Sequence, residues 1–163
     1  AELFGRVWAF GGMAEDLPAP GDYQVVQAGP HSLILLRDRD GGLAAFHNTC
    51  RHRGTRLLEG RGKVGRSITC FYHNWSYDLS GRLLGIAHEA DQFPGLDKSC
   101  LGLHPAKVAQ WRNLLFLHPD PAAEPLEAWL AGMTQPACSI GPLARFESPP
   151  PFFQRQLFDY VPL

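Results

Sequence analysis

Asn48-Thr49-Cys50-Arg51-His52-Arg53-Gly54 and Cys70-Phe71-Tyr72-His73-Asn74-Trp75 are the two stretches on which the reading of this 163-residue chain turns. Each pairs one cysteine with one histidine, and seventeen residues separate His52 from Cys70. The pattern Cys-x-His-x17-Cys-x2-His puts one soft thiolate and one imidazole on each of two short loops, so the loops can face each other across a metal centre. Two thiolates with two neutral imidazoles suit zinc in a tetrahedral site. They also suit a [2Fe–2S] cluster in which histidines replace cysteines on one iron. Because the cysteine comes first in each half, Cys50 and Cys70 can bind one metal and His52 and His73 the other. The whole chain has four cysteines and seven histidines, so two such tight pairs in one loop-rich window are not an accident of core composition.

Outward from these loops the chain reads as short strands between turns. Arg6–Phe10, Tyr23–Ala28, Ser32–Arg37 and Leu43–Phe46 are apolar or β-branched runs bounded by Gly, Pro or Asp. Asp38-Arg39-Asp40-Gly41-Gly42 is a hairpin turn, because Asp-Gly and Gly-Gly accept the positive φ of tight turns. Asp78-Leu79-Ser80-Gly81-Arg82 reads the same way, and Val108–Trp111 and Leu114–Leu117 flank Arg112-Asn113 as a further hairpin. Only Pro125–Met133 carries a helical pattern, with Pro first and then Leu126, Trp129 and Leu130 at i, i+3, i+4. Seventeen glycines and fourteen prolines favour turns over a helical bundle, and the short regular strands predict an all-β, antiparallel fold. A domain is expected over residues 1–135. Residues 136–163 are expected to form a linker or tail leading toward another domain, with Ser148-Pro149-Pro150-Pro151 as the linker signal.

Composition removes several classes. Apolar residues make up 45% and charged residues 19%, as in an ordinary globular core. The net charge of −1 argues against a generic nucleic-acid binder. No apolar run has the length of a membrane helix, and no basic segment leads into an apolar stretch and cleavage site. Neither nucleic acid nor membrane is expected as a partner, and the expected location is cytoplasmic. Charge is nevertheless uneven. Arg51, Arg53, Arg56, Arg61, Lys63 and Arg66 stand against the single acid Glu59, so this stretch is either a solvated face or a docking surface for an acidic electron donor. No Ser/His/Asp set, phosphate-binding loop or dinucleotide fingerprint is present.

The run from Phe46 to Leu57 and the run from Cys70 to Asp78 closely resemble the Rieske domain of ring-hydroxylating oxygenase α subunits, whose usual strings read N-x-C-x-H-R-G and C-P-Y-H-G-W-x-Y. Gly81-Arg82-Leu83, Leu103-x-Pro105 and Val108-x-x-Trp111 extend the resemblance, which runs from about Leu3 to Met133. Neither loop carries the extra cysteine that forms a cross-loop disulfide in respiratory Rieske proteins; Tyr72 and Trp75 stand where those have Cys and Ser. Phe71 replaces the family's usual Pro and Asn74 its usual Gly. Asn tolerates positive φ next best to Gly, and Phe71 is expected to keep the lid over the cluster apolar.

The resemblance implies a Rieske-type antiparallel β-sandwich with a two-loop cluster-binding subdomain. It implies that Cys50 and Cys70 hold the inner iron of a [2Fe–2S] cluster, and His52 and His73 the outer one. The implied role is one-electron transfer from a reductase or ferredoxin toward the mononuclear non-haem iron of an oxygenase domain or subunit, with His73 facing a neighbouring subunit's iron centre in a homo-oligomer. No histidine follows His118, so the two-histidine iron site of that family is not expected here, and the chain alone is expected to relay electrons without oxygenase turnover. The competing readings are a free-standing Rieske-type ferredoxin and a structural zinc domain. Tyr77 is a candidate hydrogen-bond donor to a cluster sulfur, and Trp75 a shield or a core residue. His31, His47, His88, His104 and His118 read as surface or hydrogen-bonded histidines, and Cys100 and Cys138 as plain apolar thiols.

Overall fold

Strand formation here follows burial on two faces at once. The computed structural model describes residues 5–133, and its central element is β3 (His31–Arg37), flanked by β2 (Asp22–Ala28) and β4 (Leu43–His47). Leu33, Ile34, Leu35 and Leu36 of β3 are all completely buried, because side chains alternate across a strand and both faces of this one are covered. Leu33 and Leu35 pack with Leu17, Ala45, Leu115 and Leu117. Ile34 and Leu36 face the other way, into a core with Phe46, Leu57, Ile68, Trp75, Tyr77 and both Cys50 and Cys70. Each such aliphatic side chain contributes roughly 1.5–3 kcal/mol, so the cysteine loops are fastened to the best-buried strand of the chain.

Around this strand lie β1 (Ala9–Met13), β5 (Arg61–Lys63), β9 (Pro105–Trp111) and β10 (Leu114–His118), giving a seven-stranded sheet in the order β1-β10-β9-β4-β3-β2-β5. A second, three-stranded sheet is built from β6 (Ser67–Thr69), β7 (Ser76–Asp78) and β8 (Leu83–Gly85). Every pairing is antiparallel. Two short helices, α1 (Glu89–Gln92) and α2 (Leu126–Met133), complete the described residues. The smaller sheet carries the second Cys/His loop between β6 and β7, and the first loop follows β4 directly.

The all-β antiparallel expectation holds, as do the three hairpins and the helix before Met133. Gly81 has φ +83°, and a Cβ there would come within 2.5 Å of the Phe46 ring, so the β7–β8 turn can pack on β4 only with glycine. The first strand lies later than Arg6–Phe10. It starts at Ala9 and runs through Gly11-Gly12, where the register against β10 shifts; the glycine pair that reads as punctuation is a bulge, with Gly12 at φ +119°. Strands β5 to β8 and helix α1 carry no apolar alternation long enough to be read from sequence. Cys100 is a free, exposed thiol that donates to the Asp97 carbonyl at 3.4 Å. The expected linker and tail over residues 136–163, with Cys138, lie outside the described residues.

Candidate metal centre

The two Cys/His loops share one backbone design. In the first, the Cys50 N–H donates to the Thr55 carbonyl at 2.8 Å and the Gly54 N–H donates back to the Cys50 carbonyl at 2.9 Å. In the second, the Cys70 N–H donates to the Trp75 carbonyl at 2.8 Å and the Asn74 N–H to the Cys70 carbonyl at 3.0 Å. The fourth residue after each cysteine is left-handed, Gly54 at φ +73° and Asn74 at φ +55°. Asn74 thus takes the conformation a glycine would take there, as its residue type predicts.

Asn48, almost completely buried, locks the first loop. Its Oδ1 accepts the Leu57 and Leu58 amides at 2.9 and 3.0 Å. Its Nδ2 donates to the Leu58 carbonyl at 2.7 Å and to Ser32 Oγ at 3.2 Å. The sequence shows an asparagine at this point but gives no sign of this role.

Cys50 and Cys70 are free thiols, both buried, and close enough to interact with each other. Burial pushes the Cys50 thiol up, against the hydrogen bond from Tyr77 that pulls it down. Tyr77 is completely buried, with its hydroxyl 3.3 Å from Cys50 Sγ while it accepts the Arg51 amide at 3.0 Å. The hydroxyl hydrogen is left free to donate to the sulfur. Burial, and then the bond to Cys50, raise the Tyr77 phenol well above its usual range, which keeps it a donor.

His52 and His73 meet with ring centroids 4.6 Å apart. The His52 ring stacks flat on buried Trp75 at 4.9 Å, and Phe93 meets both rings edge-on at 6.0 and 5.8 Å. Trp75 therefore both fills core and covers the imidazole. Phe93, in the segment after α1, is a contact with no signal in sequence. His73 is bordered instead by Tyr72, 3.8 Å away between centroids. Burial first, then the electrostatic effect of His73 and Arg53, shifts His52 below the usual imidazole value, toward the neutral form that binds a metal.

Among the described residues no three His, Cys, Asp or Glu side chains converge on a point where one metal ion could sit. The donors form two pairs instead, thiols inside and imidazoles outside. Paired donors of this kind suit a two-iron group, with one pair on each iron. His52 Nδ1 is buried without a hydrogen-bond partner, an orphan of the kind that marks a bound ion or group. Unlike Arg51 Nε, which is orphaned nearby, it has a lone pair to offer a metal. The residues fit an iron–sulfur group.

Other expectations change. Phe71 is 78% exposed. Arg61 pairs with Asp16 at 3.4 Å and Lys63 with Asp22 at 3.3 Å, so the basic stretch is partly neutralised. Three of the five other histidines are hydrogen-bonded, as expected: His47 Nε2 donates to the Pro119 carbonyl at 2.9 Å, buried His118 accepts the Asp120 amide at 3.1 Å, and His104 Nε2 meets the Arg51 guanidinium.

Residues 7–101 match the family described as the Rieske [2Fe-2S] domain. The chain belongs to this family. The cofactor of a Rieske domain is a [2Fe–2S] cluster. The chain is 37% identical over 128 residues to the chlorobenzene dioxygenase subunit alpha of Cupriavidus sp. (strain PS12), covering 78% of this chain and 28% of that protein. It is 40% identical over 117 residues to the glycine betaine monooxygenase oxygenase subunit of Chromohalobacter salexigens, covering 71% of this chain and 26% of that protein. Among solved structures, naphthalene 1,2-dioxygenase from Rhodococcus sp. bound to indole superposes with a TM-score of 0.74 at 33% identity, over 78% of this chain and 30% of that one. The Rieske domain thus spans little more than a quarter of the length of such curated relatives. It is homologous to the electron-transfer domain of ring-hydroxylating oxygenase α subunits. Among the described residues no helix is long and apolar enough to cross a membrane.

Proposed function

We propose that Cys50 and Cys70 hold one iron of the [2Fe–2S] cluster, His52 and His73 the other, and that the chain relays single electrons from a reductase or ferredoxin to the mononuclear non-haem iron of an oxygenase. Residues 1–135 form the relay domain in this reading, and residues 136–163 its tail. The observation that carries the ligand assignment is the buried, unpartnered His52 Nδ1 beside a buried cysteine pair and a second imidazole. The bound cluster supplies the one-electron redox chemistry. The chain's own residues do the rest. Tyr77 directs a hydrogen bond at Cys50, Trp75 and Phe93 pack around the His52 ring, and the buried aliphatic side chains keep water from the thiolate side. His73, with less cover, provides the side toward solvent.

Iron and sulfide analysis of the purified chain tests this. About two iron and two inorganic sulfides per chain are expected from a Rieske cluster. His73→Cys is expected to retain a cluster at a lower potential, because a thiolate adds negative charge. A colourless protein holding one zinc per chain refutes the assignment.

A further inference from the structure

Arg51 stands between Cys50 and His52 and is held at both ends. Its backbone amide donates to the Tyr77 hydroxyl at 3.0 Å, and its guanidinium meets His104 Nε2. With Nε buried and unpartnered, that contact is the one side-chain hydrogen bond Arg51 makes among the described residues. His104 in turn has a fixed seat. It directly precedes β9, and its carbonyl accepts the His47 amide at 2.9 Å, while the neighbouring Leu103 amide donates to the Gly81 carbonyl at 2.7 Å. Its ring meets the His47 ring edge-on at 6.5 Å, and His47 is itself tied to the Pro119 carbonyl. His104 therefore belongs to the sheet, and Arg51 to the loop. The chemistry of the pair fixes its polarity. A guanidinium carries only donors and stays charged, so His104 Nε2 is the acceptor and the ring is neutral, with its hydrogen on Nδ1. Burial, then the electrostatic effect of Arg51 and His47, shifts His104 below the usual imidazole value. Arg51 from the first loop and His47 from β4 are the charged and titratable groups that face it among the described residues.

We infer that His104 is a positioning residue for the first metal loop: by accepting a hydrogen bond from Arg51 it pins the segment between Cys50 and His52 to the sheet, and it lets go when its ring takes up a proton. This rests on the ligand assignment proposed above. In the release, one proton from solvent binds Nε2, the hydrogen bond from Nη1 is lost, and two cations then face each other; no electron moves. The contact is complete above about pH 6.5, the ordinary imidazole value, and its contribution falls away as pH drops from there through the lower folded value. A loop released in this way opens more often, so the metal centre is held near neutrality and given up sooner in acid.

Iron transfer from the full chain to an excess of chelator, followed by loss of visible absorption at pH about 8 and about 5 on either side of the ordinary imidazole value, tests this. His104→Leu has no acceptor and is expected to lose iron about tenfold faster than the unaltered chain at the higher pH, the effect of one lost hydrogen bond to a charged group. His104→Gln offers an amide oxygen that accepts at any pH, so it should match the unaltered chain there. At the lower pH the unaltered chain should approach His104→Leu, while His104→Gln stays about tenfold slower than His104→Leu. Comparing variants at one pH cancels the direct effect of acid on the centre. In an Arg51→Leu background, His104→Leu should add nothing. The ring-nitrogen NMR shifts of His104 give a reading that needs no iron: Nε2 should carry no proton at the higher pH, and Arg51→Leu should move its shift. A protonated Nε2 at that pH overturns the proposal. So does a His104→Leu chain that keeps its iron as well as the unaltered one, or a His104→Gln chain that behaves like His104→Leu at the higher pH or shares the unaltered chain's full response to acid. A chain without iron and sulfide contradicts the ligand assignment instead, and the NMR shifts then decide the His104–Arg51 contact on their own.

Discussion

Replacing Tyr77 with Phe removes a single oxygen from the interior and keeps the ring that fills the core. That oxygen accepts the Arg51 amide at 3.0 Å and lies 3.3 Å from Cys50 Sγ. A hydrogen bond to a charged group is worth about 1.5–3 kcal/mol. The bond to sulfur is present in both oxidation states, however, so only the difference between them moves the potential. Reduction would make the bound cluster as a whole more negative, and the bond to Cys50 would be stronger in that state. Taking the difference as about 1 kcal/mol, the one-electron relation gives a potential about 40 mV lower in Tyr77→Phe. The Arg51 amide also loses its acceptor, which should lower stability by about 1–3 kcal/mol. Film voltammetry of the two proteins, with visible absorption confirming an intact centre, measures the first effect; thermal unfolding measures the second. A potential equal to or above that of the unaltered chain would refute the directed hydrogen bond.

Asp78→Asn bears on pH. Burial acts to raise the Asp78 pKa, but hydrogen bonds from the Ser80 hydroxyl and from the Arg82 amide and guanidinium outweigh it, and the net effect lowers the carboxyl below its ordinary value. Ionised Asp78 therefore stabilises the fold fully above the unfolded carboxyl pKa of about 3.9, and this contribution is lost as pH falls through the lower folded value. Asp78→Asn should cost about 2–3 kcal/mol near neutrality, a gap that closes in acid; a gap constant from pH 7 to pH 2.5 would contradict it. Asn48→Ala removes four hydrogen bonds that tie the first metal loop to itself and to Ser32. It should lower stability by about 2–4 kcal/mol and speed loss of iron to a chelator, and an unchanged chelation rate would show that the loop holds its shape without it.

The candidate Cys/His loops stand out in the sequence because their chemistry is local: the spacing of two cysteines and two histidines survives as text. Asn74 is legible for the same reason, since a left-handed residue advertises itself by type. Strand β5 is not. Its three residues, Arg-Gly-Lys, are all exposed and become a strand only because the edge of β2 is there to pair with. The basic stretch misleads for a related reason. Its charge is visible in sequence, but the carboxylates that meet Arg61 and Lys63 come from Asp16 and Asp22, some forty residues away. Phe93 is the extreme case, a lone aromatic in a loop whose importance lies entirely in the His52 and Trp75 rings it touches.

The same asymmetry that makes β3 the centre of the fold gives the metal centre its direction. Ile34 and Leu36 are wholly buried and share a core with Cys50 and Cys70, so the thiolate end is closed by the interactions that stabilise the domain. Opening it would mean dismantling that core. The imidazole end is closed only by side chains, and unequally: His52 lies under Trp75 and Phe93, while His73 has Tyr72, itself half exposed. In the proposed assignment, a group held between these pairs would exchange charge through the imidazole side. A fold that buried both ends would protect the cluster and isolate it. Placing the cysteines in the core and the histidines at its rim lets one set of packing contacts serve both stability and exchange.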